Sequence, residues 1–373
     1  MTLVDRLPLT GRRIALVLAT STGGTGRHVR VLSAGLSAAG ASVVVAGPAS
    51  TEQSFDFSGT GAHFQPVDIG SAARPLATVA AVRQLRPRAA RADLVHAHGL
   101  RAGAIAALTT PRAVPLVATW HNAVLESGLT RLLSAPLERL VARRAAVSLC
   151  VSSDLERRVS SLGGRDVRFA PASAPELPRA QRSRAAVRAE LGASDRPLAL
   201  TVARLHPQKG LHALVSAAER LAGRSPAPLF AVAGDGPLRA ELADAIAATG
   251  APVRLLGHRD DVADLLGACD VAVLPSVWEG SPLAAQEALR AGVPFIGTRV
   301  GGVAALVGDA GLLVRPDDPA ALADAIAEVL DDAALAADLG RRARAAAQRL
   351  PSDASVVAAV VAVYAELLAV PRH

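Results

Sequence analysis

The sequence predicts two Rossmann-like, doubly wound α/β domains in tandem, and three observations predict them. At 373 residues the chain is too long for one hydrophobic core, since a domain takes about 100 to 200 residues. Short apolar runs of strand length alternate with stretches of helical periodicity, which calls for a parallel sheet covered on both faces. That alternation starts twice, on either side of a loosened, Pro- and Arg-rich stretch at 169–197.

Residues 13–19 (RIALVLA) form the first strand, ended by Thr20-Ser21-Thr22-Gly23-Gly24-Thr25-Gly26. Val29, Leu32, Leu36 and Ala39 then recur at helical spacing up to Gly40. The next strand, 42–46, stops at Gly47-Pro48, and apolar runs return at 93–97, 115–119 and 147–151. The stretch from Phe55 to Pro75 carries no periodic pattern. After the linker, strands are expected at 198–203, 228–233, 252–256, 270–274, 293–297 and 311–314. The tail at 352–369 is an apolar-rich helix with no strand after it; packing across the domain boundary and a plain terminal helix are its two readings. The expected bounds are 1–176, 177–351 and a C-terminal helix in 352–373.

With 51% hydrophobic and 20% charged residues, the composition excludes disorder, collagen and coiled coil. No run approaches the roughly 18 to 20 apolar residues of a spanning helix, and residues 1–13 do not form a leader, so a cytoplasmic protein is expected. Cys150 and Cys269 lie far apart in apolar segments, which suits buried thiols and gives no metal-ligand spacing.

The net charge of +7 is uneven: residues 1–175 hold 20 basic and 10 acidic side chains, the remainder 20 and 23. A basic nucleic-acid-binding protein is a further alternative that the charge would suit, but no nucleic-acid partner is expected, because 2% aromatic residues leave almost nothing to stack on bases and the second half is net acidic. Arg131, Arg139, Arg143 and Arg144, on the helical stretch 128–146, leave two readings: weak peripheral contact with an anionic membrane at its inner face, or a solvated helix face. Scarcity marks other residues. Lys209 is the only lysine and Asn122 the only asparagine of the chain, and Trp120 and Trp278 are its two tryptophans.

In the second domain, Pro275 to Pro294 follows the strand at 270–274. Ser281 is expected to cap a helix with Pro282 at its first position, ending at Gly292. The free N–H groups of Leu283 and Ala284 and the helix dipole favour a phosphate there. Glu279, beside Gly280, lies before this helix end and Glu287 inside it, so two acceptors flank the phosphate position, as a nucleotide sugar requires. A helix cap plus a solvated glutamate is the other reading of this spacing. Upstream, Arg204 and Lys209 share the loop after strand 198–203 and offer a fork and a point charge for a diphosphate whose charge grows as it departs. Gly234-Asp235-Gly236 and Gly301-Gly302 add glycine turns on the same sheet edge.

In the first domain, Gly23-Gly24 opens a helix after the first strand and could receive phosphate likewise. Val29 stands where a dinucleotide fingerprint needs its third glycine, and no carboxylate ends strand 42–46, which disfavours a nicotinamide enzyme. The only lysine is followed by Gly210, so no phosphate-binding Gly-x4-Gly-Lys-Ser/Thr loop exists. His96, His98, His121 and Asn122 gather after strands. His98, His121 and Asn122 could meet sugar hydroxyls, while His96 reads as a packing histidine.

Taken in order, Gly23-Gly24-Thr25-Gly26-Arg27-His28, His96-Ala97-His98-Gly99, Thr119-Trp120-His121, Arg204 with Lys209-Gly210, Gly234-Asp235-Gly236-Pro237-Leu238, Glu279-Gly280 through Glu287, Gly292-Val293-Pro294 and Thr298 to Gly301-Gly302 resemble the retaining glycosyltransferases of family 4. The resemblance runs over residues 13–330. It implies the GT-B fold, two Rossmann-like domains facing a cleft, with a nucleotide-sugar donor, UDP- or GDP-linked, on the second domain. Arg204 and Lys209 would hold the diphosphate, Glu279 the donor sugar and Glu287 the ribose, with Gly234, Gly280, Ser281, Pro282 and Leu283 lining the donor position. His121 and the Gly23-Gly24 loop would close from the first domain, with His98 and Asn122 toward the acceptor, a hydroxyl on a glycolipid, polysaccharide precursor or small molecule. The family implies retention of configuration with no cofactor and no essential metal, and this sequence lacks an Asp-x-Asp signature. A sugar-nucleotide epimerase of the same architecture is the alternative, against which the Arg-x4-Lys and Glu-x7-Glu pairing argues.

Overall fold

The computed structural model describes residues 8–70, 75–123 and 129–369. The chain divides into two compact units, Met1–Ser173 with Pro351–His373, and Ala174–Leu350.

The first unit runs β1 (Arg13–Leu18), α1 (Gly24–Ala38), β2 (Ser42–Gly47), α2 (Ala49–Phe55), β3 (His63–Pro66), α3 (Pro75–Arg91), β4 (Leu94–His98), α4 (Leu100–Thr109), β5 (Leu116–Trp120), α5 (Leu129–Arg144), β6 (Val147–Cys150), α6 (Ser153–Ser161) and β7 (Val167–Phe169). Its seven strands lie in the order β3-β2-β1-β4-β5-β6-β7, every pair parallel. The order reverses between β1 and β4, so the loops after these strands flank the place where open α/β sheets bind ligands. β1, β4, β5 and β6 are buried almost throughout because apolar side chains alternate onto both faces and helices cover each.

The second unit runs α7 (Arg184–Glu190), β8 (Leu198–Val202), α8 (Leu211–Leu221), β9 (Leu229–Ala233), α9 (Arg239–Thr249), β10 (Val253–Gly257), α10 (Val262–Ala268), β11 (Val271–Leu274), α11 (Leu283–Ala291), β12 (Phe295–Thr298), α12 (Val303–Val307), β13 (Gly311–Val314), α13 (Pro319–Asp331) and α14 (Ala333–Ala347). The sheet order is β10-β9-β8-β11-β12-β13, again parallel, and it reverses between β8 and β11. One apolar cluster lies on each face: Leu200, Ala272 and Phe295 meet α11, while Ala199, Phe230 and Ile296 meet α8 and α13.

The remaining helix, α15 (Asp353–Ala369), packs on the first unit. Its Val356, Val360, Val363 and Tyr364 join Val29, Leu32 and Leu36 of α1 in one buried cluster. Gly35 lets the two helices approach, since a Cβ there would lie 2.4 Å from the Val357 side chain. At the other end Arg27 donates to the Ser173 carbonyl at 2.9 Å and pairs with Asp353 at 3.1 Å.

Tyr364, the only tyrosine of the chain, is fully buried, with its hydroxyl 2.6 Å from His96 Nδ1. His96 Nε2 meets Thr119 Oγ1, also at 2.6 Å. The histidine is thus satisfied on both nitrogens inside the core, the packing role read from sequence. Tyr364→Phe strands one buried nitrogen, a loss of about 1–3 kcal/mol. The expected result is a Tm lower by several degrees, read by differential scanning calorimetry; an unchanged Tm would show that water replaces the hydroxyl.

Several elements differ from the expectations. The stretch 55–75 contains β3, an outer strand paired only with β2. The linker at 169–197 contains α7, anchored on α10 by one buried side chain, Val187, and capped by Ser183 Oγ, which accepts from Ala186 N. Arg144, placed by sequence on a basic face, donates instead to the carbonyls of Thr110 and Pro111 beyond α4, both at 2.9 Å. Arg139 and Arg143 are exposed, and the side chain of Arg131 lies outside the described residues. No helix among the described residues is long and apolar enough to cross a membrane. Both cysteines are buried, and burial pushes their thiols up to about 12.

Candidate active site

The loops after β8 and β11 stand at the sheet's reversal point, and the sequence gives them close contact through glycine. Gly210 ends the one-turn helix Pro207–Lys209 with φ 61°, and a Cβ there would lie 2.0 Å from the Pro275 carbonyl oxygen. No other residue allows both the left-handed backbone and this approach. Val277 N donates to the Gln208 carbonyl, and the Gln208 amide donates to the Trp278 carbonyl, each at 2.9 Å. On the other side the β12 loop closes in: Gly301, φ 48°, would drive a Cβ to 1.8 Å from the Glu279 carbonyl oxygen, which accepts from Gly302 N.

This packing brings together two residues that are 70 apart in sequence. Lys209 Nζ lies 2.6 Å from Glu279 Oε1, and Ser276 Oγ donates to the same oxygen at 2.6 Å. The Glu279 side chain is 7% exposed and that of Lys209 21%, so the pair is mostly removed from water and each partner fixes the other. Ser276 is fixed in turn, its carbonyl accepting from Thr298 Oγ1 at the end of β12. Ser276, within the stretch 275–294, and Thr298 have no role in the reading of the sequence; the signal was their place at the ends of two neighbouring strands. Arg204 is exposed on the same loop as Lys209. His206 stands between them in sequence, its pKa lowered by burial and then by the charges of Arg204 and Lys209.

The helix end differs from expectation by one residue. α11 begins at Leu283, with Pro282 in the capping position and no side-chain cap. Ser281 Oγ instead accepts from the Gln286 amide at 3.1 Å, and Gln286 Oε1 accepts from Ala174 N. The first turn of backbone bonds starts with Gln286 N donating to the Pro282 carbonyl, so the N–H groups of Leu283 and Ala284 lie ahead of it. Gly280 and Pro282 are buried, and Glu287 is partly buried on α11, one turn beyond Leu283. Gly234 is committed to packing: a Cβ would lie 1.9 Å from the Ala203 carbonyl oxygen, and its N–H donates to Gly257.

In the first unit the reversal point collects histidines. Gly23 and Gly24, exposed, open α1, and Ser21 Oγ accepts from Gly26 N at 3.0 Å. Inside α1, His28 turns its ring toward His98 at the end of β4 and His121 just after β5, with ring centroids 5.6 and 5.1 Å away. His98 Nδ1 is 3.2 Å from His121 Nε2. His98 is 2% exposed and His121 9%, so both rings are buried beside one another. Asn122, the next residue, is exposed. Burial above all holds these imidazoles neutral, followed by the Arg27 charge at His28 and by neighbouring histidines at the other three: His28 is lowered to about 4 and His96 to about 3, with His98 and His121 well below the ordinary value.

Comparison with known proteins agrees with this division. Residues 23–173 match the glycosyl transferase 4-like domain and residues 196–332 the glycosyl transferases group 1. Glycogen synthase of Mycobacterium tuberculosis is 32% identical over 89% of this chain and 87% of its own length. The chain belongs to the group 1, family 4-like glycosyltransferases. D-inositol 3-phosphate glycosyltransferase of Salinispora arenicola is 32% identical to this glycosyltransferase over 76% of the chain and 72% of its own length. Among solved structures, Anabaena Alr3699/HepE in complex with UDP-glucose superposes with a TM-score of 0.79 at 20% identity, covering 95% of this chain and 99% of that one. Sucrose-phosphate synthase from Thermosynechococcus elongatus gives 0.77 at 22% identity, covering 96% and 99%. These likenesses show the GT-B fold of this glycosyltransferase.

Proposed function

We propose that this glycosyltransferase moves a sugar from a nucleoside-diphosphate sugar, UDP- or GDP-linked, to a hydroxyl acceptor with retention of configuration. The observation that carries the reading is the Lys209–Glu279 pair at the reversal point of the second unit's sheet, beside the open end of α11. Lys209 and the exposed Arg204 supply positive charge where a diphosphate departs, and the N–H groups of Leu283 and Ala284 supply donors. Glu287, one turn into α11, suits the ribose hydroxyls. Glu279 Oε1 already accepts from Lys209 and Ser276, which suits a carboxylate that orients a sugar hydroxyl better than one that attacks carbon. The departing phosphate oxygen then takes the acceptor's proton on the same face of the sugar, and positioning supplies most of the rate. For the first unit the proposed contribution is His121, on the edge of its own sheet. No essential metal or cofactor enters this scheme. Crystal structures bearing UDP and UDP-glucose exist for a GT-B neighbour, which supports the nucleotide class.

Thermal-shift titration with UDP, GDP and ADP, each with EDTA and with Mg²⁺, tests it. A ligand at about 100 times its Kd adds about 2.7 kcal/mol to the folded state. The expected result is a rise in Tm with one nucleotide that persists in EDTA. A rise that needs Mg²⁺ would overturn the metal-independent scheme, and no rise with any nucleotide or its sugar conjugates would overturn the donor site.

A further inference from the structure

The histidines of the first unit form a constellation that the transfer scheme does not use. His28, His98 and His121 each place a ring nitrogen within 4.8 Å of the other two. All three sit on rigid elements or directly beyond them, in α1, at the end of β4 and after β5. We propose that these three imidazoles bind a divalent transition-metal ion of the Zn²⁺ class.

The spacing supports it. Two nitrogens bound to one tetrahedral Zn²⁺ at about 2.0–2.1 Å stand about 3.3–3.4 Å apart. His98 Nδ1 and His121 Nε2 are already 3.2 Å apart, so a cation replaces the proton between them with little movement. His28, reached across the two ring contacts, supplies the third ligand. One of the paired nitrogens now carries a hydrogen. Binding moves that hydrogen to the far nitrogen of the same ring, so each imidazole stays neutral and offers a lone pair.

His96, its ring 4.1 Å from that of His98 and held by Tyr364 and Thr119, stiffens the wall behind the ligands, as supporting groups do around metal sites.

The donor set chooses the cation. Three imidazoles with no carboxylate suit Zn²⁺, Cu²⁺ or Ni²⁺ and give Mg²⁺ and Ca²⁺ no oxygen ligands. The fourth position falls to water, hydroxide or another small oxygen donor. Resting on the role proposed above for His121, a metal held there withdraws its ring and slows transfer, so the site is inhibitory.

Binding is read on the full chain without an affinity tag and without donor, so the result is independent of the transfer reaction. Zn²⁺ is titrated in competition with a chromophoric chelator, and Co²⁺ is used as a coloured substitute. The expected result is one equivalent of Zn²⁺ and a Co²⁺ spectrum of four-coordinate, nitrogen-bound type. His28→Gln is expected to lower affinity by at least the roughly 10- to 100-fold that loss of a supporting partner costs at metal sites, while His258→Gln, at an exposed position, leaves it unchanged. Unaltered affinity in a folded His28→Gln protein overturns the site. Should that variant fail to fold, the wild-type Co²⁺ spectrum decides alone: no uptake, or an octahedral spectrum, overturns it.

Discussion

Lys209→Ala is expected to lower transferase turnover by about 10²- to 10³-fold, the effect of removing one group that stabilises charge developing in a transition state. Lys209 is held by a loop that Gly210 fits against Pro275, and its ammonium is 2.6 Å from Glu279 Oε1. Two roles are compatible with that contact. The lysine either meets the departing diphosphate, with Glu279 orienting it, or merely neutralises a buried carboxylate. Nucleotide binding by the double variant separates them, because Glu279 is assigned to the sugar and not to the diphosphate. If neutralisation is the whole role, Lys209→Ala combined with Glu279→Gln recovers the nucleotide-induced rise in Tm that Lys209→Ala loses, because the buried charge left by the first change is gone. If the lysine acts on the diphosphate, that rise is lost in both. Wild-type turnover in Lys209→Ala would remove the diphosphate assignment. Arg204→Ala should act in the same direction, and its exposed side chain makes a folding defect an inadequate explanation.

The alternation of strands and helices was legible because buried parallel strands are continuous apolar runs. Residues 13–19 and 270–274 could hardly be read otherwise, and β1 and β11 occupy them. The strands that escaped, β3 and β7, form the two outer edges of the first sheet, where a strand has one neighbour and keeps polar residues such as His63, Gln65 and Arg168. The Lys209–Glu279 contact was legible as two separate strand-end loops, because a doubly wound sheet puts such loops on one edge. Their mutual ion pair was not, since sequence separation of 70 carries no distance. The start of α11 was placed one residue early because Ser281 has the residue type of a cap, while its hydroxyl is taken by the Gln286 amide. Scarcity pointed to Lys209, which the structure pairs with Glu279, and points equally to Tyr364, the sole tyrosine. It stands on a tail helix whose partner no local pattern could name. The histidines were visible one by one at strand ends. That His28, one turn inside α1, joins them is a product of the helix folding back over β1 and β4, which only the tertiary structure shows.

In metal-free buffer with EDTA, the first unit is expected to lose stability steeply as pH falls below about 6.5, the ordinary value for histidine. His28, His96, His98 and His121 are at most 9% exposed, and burial is the main reason each has a lowered pKa. Arg27 adds to the effect on His28 and Asp353 opposes it, while the histidines repel protonation of one another. At pH 7 both folded and unfolded chains hold these rings neutral, and their stabilising contacts are complete. Below about 6.5 the unfolded chain takes up protons that the folded one refuses, so unfolding gains. The loss continues down to the folded values, about 4 for His28 and about 3 for His96. Each proton that the folded chain refuses costs up to about 1.4 kcal/mol per pH unit in that window, a large share of the 5–15 kcal/mol or so that holds a domain folded. Carboxylates lowered by ion pairs, such as Asp166 beside Arg168, lose their contribution only as pH falls through the ordinary carboxylate range, below the interval from about pH 6.5 to 5. The two tryptophans report separately: Trp120 adjoins the cluster in the first unit, and Trp278 lies in the second. In the Trp278→Phe protein, urea unfolding followed by Trp120 fluorescence should show a midpoint that falls sharply between pH 6.5 and 5. In the Trp120→Phe protein the Trp278 midpoint should fall less, because of the second unit's three histidines only His206 has a lowered pKa, while His212 and His258 are exposed. Equal sensitivity of the two reporters, or a Trp120 midpoint constant down to pH 5, would mean that these rings take up protons in the folded state and that burial does not keep them neutral.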